Sequence, residues 1–348
     1  MDERTPEKTL AVAKTANAPR WSASSSLGHF ESWFMRANAA TGGDAFWIRY
    51  TIFSPKGKPE AAIAELWATV FDGNGGRHAA AKNELPISKA EFGVLHDRSR
   101  LYVRIGDAIL QDGRLAGSAG KGDAKISWDL KFEGGGAPLI FLPPAFYEAP
   151  LPKAKSLVPR PSCRYSGQII LGDRVLEISD WIGSQNHNWG SKHTDAYAWG
   201  QVAGFDDAPE SFLEVATARL KIGPFWTPRM TPLVLQIGGE EYALNSLGQA
   251  LRADAWWDLF QWTFKSHDAR ISVEGRIEAK PADFVGLRYY NPPGGTKHCL
   301  NSKIASCELK IEFHTGRRAG TTKILVSRDR AAFEILTDRT DHGIELRA

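Results

Sequence analysis

Residues 180–201 read DWIGSQNHNWGSKHTDAYAWGQ, the densest run of chemically capable side chains in the sequence. Asp180, His187, His193, Asp195 and Tyr197 are of the types that carry protons near neutral pH once burial shifts their pKa values. Trp181, Asn186, Trp189, Trp199 and Gln201 could wall or orient a ligand beside them. Residues two apart in a strand share a face, so His193, Asp195, Tyr197, Trp199 and Gln201 form one face and Thr194, Ala196, Ala198, Gly200 and Val202 the other. A polar and aromatic face opposite a small one suits a cavity wall or a buried hydrogen-bonded network better than an ordinary half-exposed strand. The preceding strand is expected to end at Asp180 and Trp181, with Gly183 and Gly190 permitting a tight loop that brings Asp180, Gln185, Asn186 and His187 to the same mouth. The same loop could instead be an internally bonded corner with Trp189 plugging a barrel end. A metal would use His187, His193 and Asp195, but their spacing matches no standard zinc pattern and no further His or Cys lies close, so no metal is expected.

The elements that must position these residues are strands. Short apolar or alternating runs separated by Gly, Pro, Asn and Asp recur after about residue 25, while helical periodicity is scarce. One series runs from Ser32–Ala37 and Ala45–Ser54 through Ala108–Asp112 to Arg174–Trp181; a second runs from Ser211–Lys221 to Ala332–Leu336. Residues 88–98 read as a short helix or a strand pair. The prolines between Pro138 and Pro161 argue against a central strand there and for an extended crossing segment. Two strand series of similar size predict an all-β chain of two antiparallel barrels or sandwiches side by side. The expected division is a flexible polar arm over residues 1–25, a β-domain over 26–207 carrying the 180–201 run, and a second β-domain over 208–348.

Composition narrows the function. With 43 Lys and Arg against 40 Asp and Glu and no basic cluster, nucleic acid is not an expected partner. No apolar run approaches the roughly 20 residues of a spanning helix. Cys163, Cys299 and Cys307 cannot all pair within one chain and have no CxxC spacing, and the start of the chain shows no secretory signal, so reduced thiols and a cytoplasmic location are expected. Twelve Trp, 17 Phe and 8 Tyr indicate that something large and apolar is enclosed, either core or ligand. The Gly117–Gly122 run lacks the first Gly and the hydroxyl residue of a phosphate loop, and there is no Gly-x-Ser-x-Gly elbow. The aromatic run Trp256–Trp262 reads as core, and the polar stretch 289–302 as a loop that lines an opening.

Gln185-Asn186-His187-Asn188-Trp189-Gly190 followed by Tyr197-x-Trp199-Gly200-Gln201 resembles the lipocalin-like superfamily of carotenoid 1,2-hydratases, AttH-like proteins, tocopherol cyclases and fungal Diels–Alderases. The resemblance implies two lipocalin-like barrels around a hydrophobic, isoprenoid- or polyketide-like substrate. It also implies a cofactor-independent lyase or cyclase that hydrates or cyclises a double bond through an acid. Asp195 or Asp180 would be that acid, His187 or His193 its proton partner, and Tyr197, Trp189 and Trp199 the wall stabilising a carbocation. The alternative is a non-catalytic carrier of lipid or pigment whose polar motif is structural. A buried carboxylic acid facing an apolar cavity would favour the enzyme. A monomer, with possible peripheral membrane contact for ligand collection, completes the expectation.

Overall fold

The computed structural model describes residues 5–95, 100–111 and 113–348. Its first sheet has eleven strands: β1 His29–Asn38, β2 Asp44–Ser54, β3 Ile63–Asp72, β4 Ala79–Pro86, β5 Ala90–Leu95 and β6 Arg100–Ile105. It continues with β7 Ala108–Gln111, β8 Arg114–Ala119, β9 Ile126–Gly134, β10 Ala154–Leu171 and β11 Arg174–Gly190. The order is β4-β3-β2-β1-β11-β10-β9-β8-β7-β6-β5, antiparallel throughout. The sheet curls into a nearly closed barrel, where Asn83 of β4 bonds the Ser118 carbonyl at 3.3 Å and the Gly120 amide at 3.0 Å.

The second sheet is a half-barrel that opens with β12 Ala196–Phe205 and β13 Ala208–Arg219. A small hairpin, β14 Lys221–Ile222 and β15 Phe225–Trp226, interrupts it before β16 Leu233–Ile237 and β17 Glu240–Leu244. It is completed by β18 Asp254–Trp257, β19 Gln261–His267, β20 Ile271–Glu278, β21 Val285–Tyr290, β22 Thr296–Phe313 and β23 Thr322–Thr337. Its order is β17-β16-β13-β12-β23-β22-β20-β19-β18, with β21 beside β22. The chain is therefore all-β, two lipocalin-like antiparallel units side by side.

Alternation explains how two cores and an interface come from the same strands. In β1, Trp33, Met35 and Ala37 fill the barrel, while Phe34 packs toward the second sheet; in β2, Phe46, Ile48 and Tyr50 fill the barrel while Ala45 and Trp47 face out. In β12, Ala198 and Val202 enter the second core and Tyr197 and Trp199 face the first sheet, as the alternation of residue types predicts. Gly200 shares the small face because a Cβ there would collide with Ile277 and press on Trp262 at 3.0 Å.

Several expectations fail for identifiable reasons. Strand β11 does not end at Trp181 but runs on to Gly190, so the Gln185–Gly190 motif is strand and not loop. Gly183 marks a close approach rather than a turn: a Cβ would collide with the Arg36 carbonyl of β1. The proline-bearing residues 154–161 belong to a central strand, β10, between β9 and β11. The ladder absorbs Pro159 and Pro161 through register shifts between Leu157, Arg160 and Cys163, with Ser162 at φ 57°, so the missing N–H groups fall at irregularities. The passage between sheets falls between Gly190 and Ala196, one strand earlier than the expected boundary at 207. Within the expected arm, Pro6–Lys14 is an α-helix, α1, and residues 16–21 dock on β1. Ala90–Leu95 is a strand; residues 96–98, Asp112 of the Ala108–Asp112 strand and Met1–Arg4 lie outside the described residues.

Candidate functional site

A cavity of about 530 Å³ lies between the two sheets. Its wall takes Phe34, Trp47 and Arg49 from β1 and β2, Asn186 and Asn188 from β11, Tyr197 and Trp199 from β12, Glu214 from β13, and Glu334 from β23. Phe141, Leu142 and Phe146 from the proline-rich crossing cover it on one side, and Leu247 and Ala250 of the short helix α2, Leu247–Arg252, contribute on another. Apart from a few polar groups the wall is aliphatic and aromatic, which fits a hydrophobic small molecule.

Glu214 is the most perturbed of the cavity carboxyls. Trp199 Nε1 donates to its Oε1 at 2.8 Å and Gln201 Nε2 to its Oε2 at 2.7 Å. Burial pushes the carboxyl up to about 7, against the lowering effect of those two donors and of Arg36. Gln201 Nε2 also donates to Asn186 Oδ1 at 2.7 Å, and its Oε1 accepts from Ser184 Oγ at 2.6 Å and Arg36 Nε at 2.8 Å. Arg36, wholly buried, reaches Asn38 Oδ1 at 2.8 Å, and Asn38 donates to the Lys303 carbonyl at 2.6 Å. The motif residues thus bolt the sheets together and hold one carboxyl in place from behind.

Glu334 is held differently. Lys303 Nζ at 2.8 Å and Asn301 Nδ2 at 3.0 Å donate to its Oε1, and the Tyr197 hydroxyl lies 3.4 Å from its Oε2. The Lys303 ammonium sits 5.4 Å from the Trp199 ring centroid. Arg49 stands over the Tyr289 ring at 4.6 Å and the Trp47 ring at 5.8 Å. Its Nε donates to Ser32 Oγ at 2.8 Å. Among the described residues its terminal nitrogens make no hydrogen bond or ion pair, although the residue is only 4% exposed. A buried guanidinium with free donors at a cavity wall is costly unless an acceptor is brought to it.

His193 is packed between the Phe30 ring, with centroids 3.9 Å apart, and the Tyr289 ring at 5.7 Å. Burial, reinforced by Arg49, lowers its imidazole to about 3, so it is neutral and cannot supply a proton at ordinary pH. Burial raises the Tyr197 and Tyr289 phenols well above their usual value, leaving both as neutral hydrogen-bond groups.

Of the residues singled out from sequence, Asn186, His193, Tyr197 and Trp199 meet at this cavity, and Gln201 lies directly behind it. Asp195 is not among the residues lining it. Lys192 Nζ at 2.5 Å and the Lys221 amide at 2.9 Å hold it, and these partners lower its pKa despite partial burial. Asp180, at φ 55°, is exposed and paired with Arg164 at 3.1 Å on the outer side of the barrel. Trp181 packs inside the first barrel against Phe46. His187 contributes to the wall, but its ring nitrogens are engaged, Nε2 2.9 Å from Glu31 Oε1 and Nδ1 2.7 Å from the Ala16 carbonyl. Its ring is stacked on Trp33 at 4.7 Å, and Trp189 packs beside it at 4.7 Å and against Tyr147. Glu31 also accepts the Arg20 and Trp21 amides at 2.8 and 2.9 Å. Although burial raises its carboxyl, the hydrogen bonds from His187 and from His29, whose Nε2 lies 3.0 Å from Oε2, lower it to about 2. This second cluster fastens residues 16–21.

Arg49, Glu214, Lys303 and Glu334 were not recognised from sequence. Three of them had a signal, a charged residue inside an apolar run, as in Trp47-Ile48-Arg49-Tyr50, Phe212-Leu213-Glu214-Val215 and Phe333-Glu334-Ile335; Lys303, which follows Asn301-Ser302, had none. The three thiols are buried and free, as the cysteine count suggested, and burial raises Cys163 to about 12. Among the described residues no group of three or more His, Cys, Asp or Glu is placed to hold a metal, and no helix is long and apolar enough to cross a membrane.

No family model matches the sequence. An uncharacterised protein of Mycobacterium tuberculosis is 24% identical over 303 residues, covering 86% of this chain and 85% of its own length. Among solved structures, a putative AttH from Nitrosomonas europaea aligns with a TM-score of 0.57 at 12% identity, covering 89% of this chain and 92% of its own. CghA in complex with Sch210972 aligns at 0.59 and 11% identity, covering 89% and 88%. Kievitone hydratase from Nectria haematococca aligns at 0.53 and 9% identity, covering 88% and 89%. The chain shares the fold of these three proteins.

Proposed function

We propose that the protein is a cofactor-independent enzyme that hydrates or cyclises a double bond in a hydrophobic substrate bearing a carbonyl group. One observation carries this reading: a guanidinium with free donors, Arg49, and a carboxyl titrating near neutrality, Glu214, line the same largely apolar cavity. Such a pair suits conjugate addition. Arg49 holds the carbonyl oxygen while Glu214, as carboxylate, takes a proton from an attacking water. The new C–O bond forms at the β-carbon, the π electrons move to an enolate whose oxygen Arg49 stabilises, and Glu214 returns its proton to the α-carbon. In a cyclisation an internal nucleophile replaces the water, or the polarised double bond closes a ring with no net proton movement. A free alkyl carbocation suits this wall less well, because the faces of Trp199, Trp47 and Tyr289 already serve Lys303 and Arg49. A polyketide-like enone therefore fits better than an unfunctionalised isoprenoid. The resemblance to hydratase and CghA structures supports the class of reaction by analogy of fold.

The test is extraction of protein purified from its own host, with native mass spectrometry of the intact chain. A co-purifying hydrophobic carbonyl compound that wild type converts and Glu214→Gln binds unchanged is the expected result. Binding of such a compound by wild type without any conversion would leave the cavity a carrier site, and conversion at the wild-type rate by both Glu214→Gln and Arg49→Gln would remove both residues from the chemistry.

A further inference from the structure

Three segments supply residues to the cavity wall and then carry apolar side chains out into solvent. The hairpin β14–β15 rises from Leu220 and Met230 at the wall and presents Ile222 at 67% and Phe225 at 75% exposure, with Trp226 beside them. Leu151 and Leu247 belong both to the wall and to the surface, at 59% and 44% exposure, and Leu251 extends the α2 side of the patch. The apolar tip is therefore continuous with the cavity mouth. It is also firmly mounted: the Asp195 carboxylate accepts the Lys221 amide at 2.9 Å, Thr227 Oγ1 accepts the Leu220 amide at 2.9 Å, and the Arg219 guanidinium lies 5.1 Å from the Trp226 ring.

The charged side chains on the three segments themselves are all basic, and the one carboxylate at the hairpin base, Asp195, is buried and paired with Lys192. Residues 219–231 contain Arg219, Lys221 and Arg229 and no acidic side chain; residues 151–155 add Lys153 and Lys155, and α2 ends in Arg252. Glu148 and Asp254 flank these segments on the outside. We propose that this face docks on an anionic lipid surface, with Ile222, Phe225 and Trp226 entering the headgroup boundary and the basic side chains meeting the phosphates, so that the cavity mouth opens onto the membrane. Aliphatic and aromatic side chains on a short rigid projection, ringed by Lys and Arg, are the chemistry that recognises such a surface, and an apolar patch of this kind is otherwise a liability in water. The inference extends the reading of the cavity as a site for a hydrophobic substrate, but lipid binding is measured without turnover, so either can fail alone.

The experiment is co-sedimentation of the full chain with vesicles of phosphatidylcholine alone and of phosphatidylcholine with roughly 30% phosphatidylglycerol, at low and high salt. Binding to the anionic vesicles is expected to be about tenfold tighter than to the neutral ones and to weaken with salt. Ile222→Ser with Phe225→Ser, and separately Lys221→Glu with Arg229→Glu, should each reduce it by about tenfold or more while the thermal transition is retained. Absence of binding to both vesicle types, equal binding to both, or binding unchanged in both folded variants overturns the proposal. A concentration-dependent dimer abolished by the Ile222 and Phe225 changes, without vesicle binding, also overturns it and assigns the face to a second copy of the chain.

Discussion

Replacing Glu214 by Gln tests the central electrostatic claim without knowledge of the substrate. The folded-state carboxyl sits at about 7 against an unfolded value of 4.5, so the folded state holds its proton more tightly than the unfolded one. A raised carboxyl contributes stability that is fully present below pH 4.5 and is lost as pH rises through 7. The span of about 2.5 pH units corresponds to about 3 kcal/mol, none of it recovered by solvent because the group is wholly buried. Gln cannot ionise, so this loss disappears in the variant. It also replaces one of two acceptor oxygens by an amide nitrogen, so either Trp199 Nε1 or Gln201 Nε2 faces a donor, at a cost of about 1–3 kcal/mol at every pH. The two effects cross. Glu214→Gln should be less stable than wild type near pH 5 by about 1–3 kcal/mol and should gain about 3 kcal/mol on wild type by pH 8. Urea melts of both proteins at half-unit steps across that range read the difference, and contributions common to both, including the neutral His193, cancel. Parallel stability curves would falsify the assignment, since they require Glu214 to titrate at its ordinary value in the fold.

Four further outcomes follow from the same structure. Lys303→Met strands the Glu334 carboxylate in the interior and should cost about 3–5 kcal/mol in denaturant melts, whereas Lys303→Met with Glu334→Leu should recover most of it; additive losses would show that the pair is not coupled. Arg49→Gln removes one of the causes that depress His193, so its imidazole pKa, followed by NMR, should rise but stay below the usual value because burial is the larger cause; no movement would place Arg49 out of electrostatic reach. Asp195→Asn should speed proteolysis at Lys221 by loosening the hairpin base while sparing catalysis, and loss of turnover with an intact hairpin would reinstate Asp195 as an acid. Glu31 is depressed to about 2, so it stabilises the fold above pH 4.5 and loses that contribution as pH falls through 2; Glu31→Gln should therefore raise amide exchange in residues 16–21, and unchanged exchange would mean that other contacts hold the segment.

The fold class was legible because period-two alternation survives in most strands, and on β12 it even assigned the faces correctly. The motif was found, but its local structure was misread. Glycine and proline report backbone constraint without saying which kind: Gly183 and Gly190 admit a neighbouring strand's backbone and Pro159 and Pro161 sit in bulges, yet each is written like a loop. The carboxyl on the cavity wall was missed for a different reason. Asp195 lies within the motif, but chemistry depends on what surrounds a carboxyl, and two lysines surround it, whereas Glu214 acquires its Trp199 and Gln201 partners only when β12 pairs with β13.

The parity of these strands separates two kinds of obligation. In β1, β2 and β12 one set of alternate residues maintains the barrels, and the intervening set faces the cavity and the joint between sheets. A lineage can therefore rewrite the second set, altering wall shape, acid or cation, while the first keeps the chain foldable. The same partition offers a library scheme: randomising Phe34, Trp47 and Tyr197 together would sample new substrates with the barrel interiors left as they are.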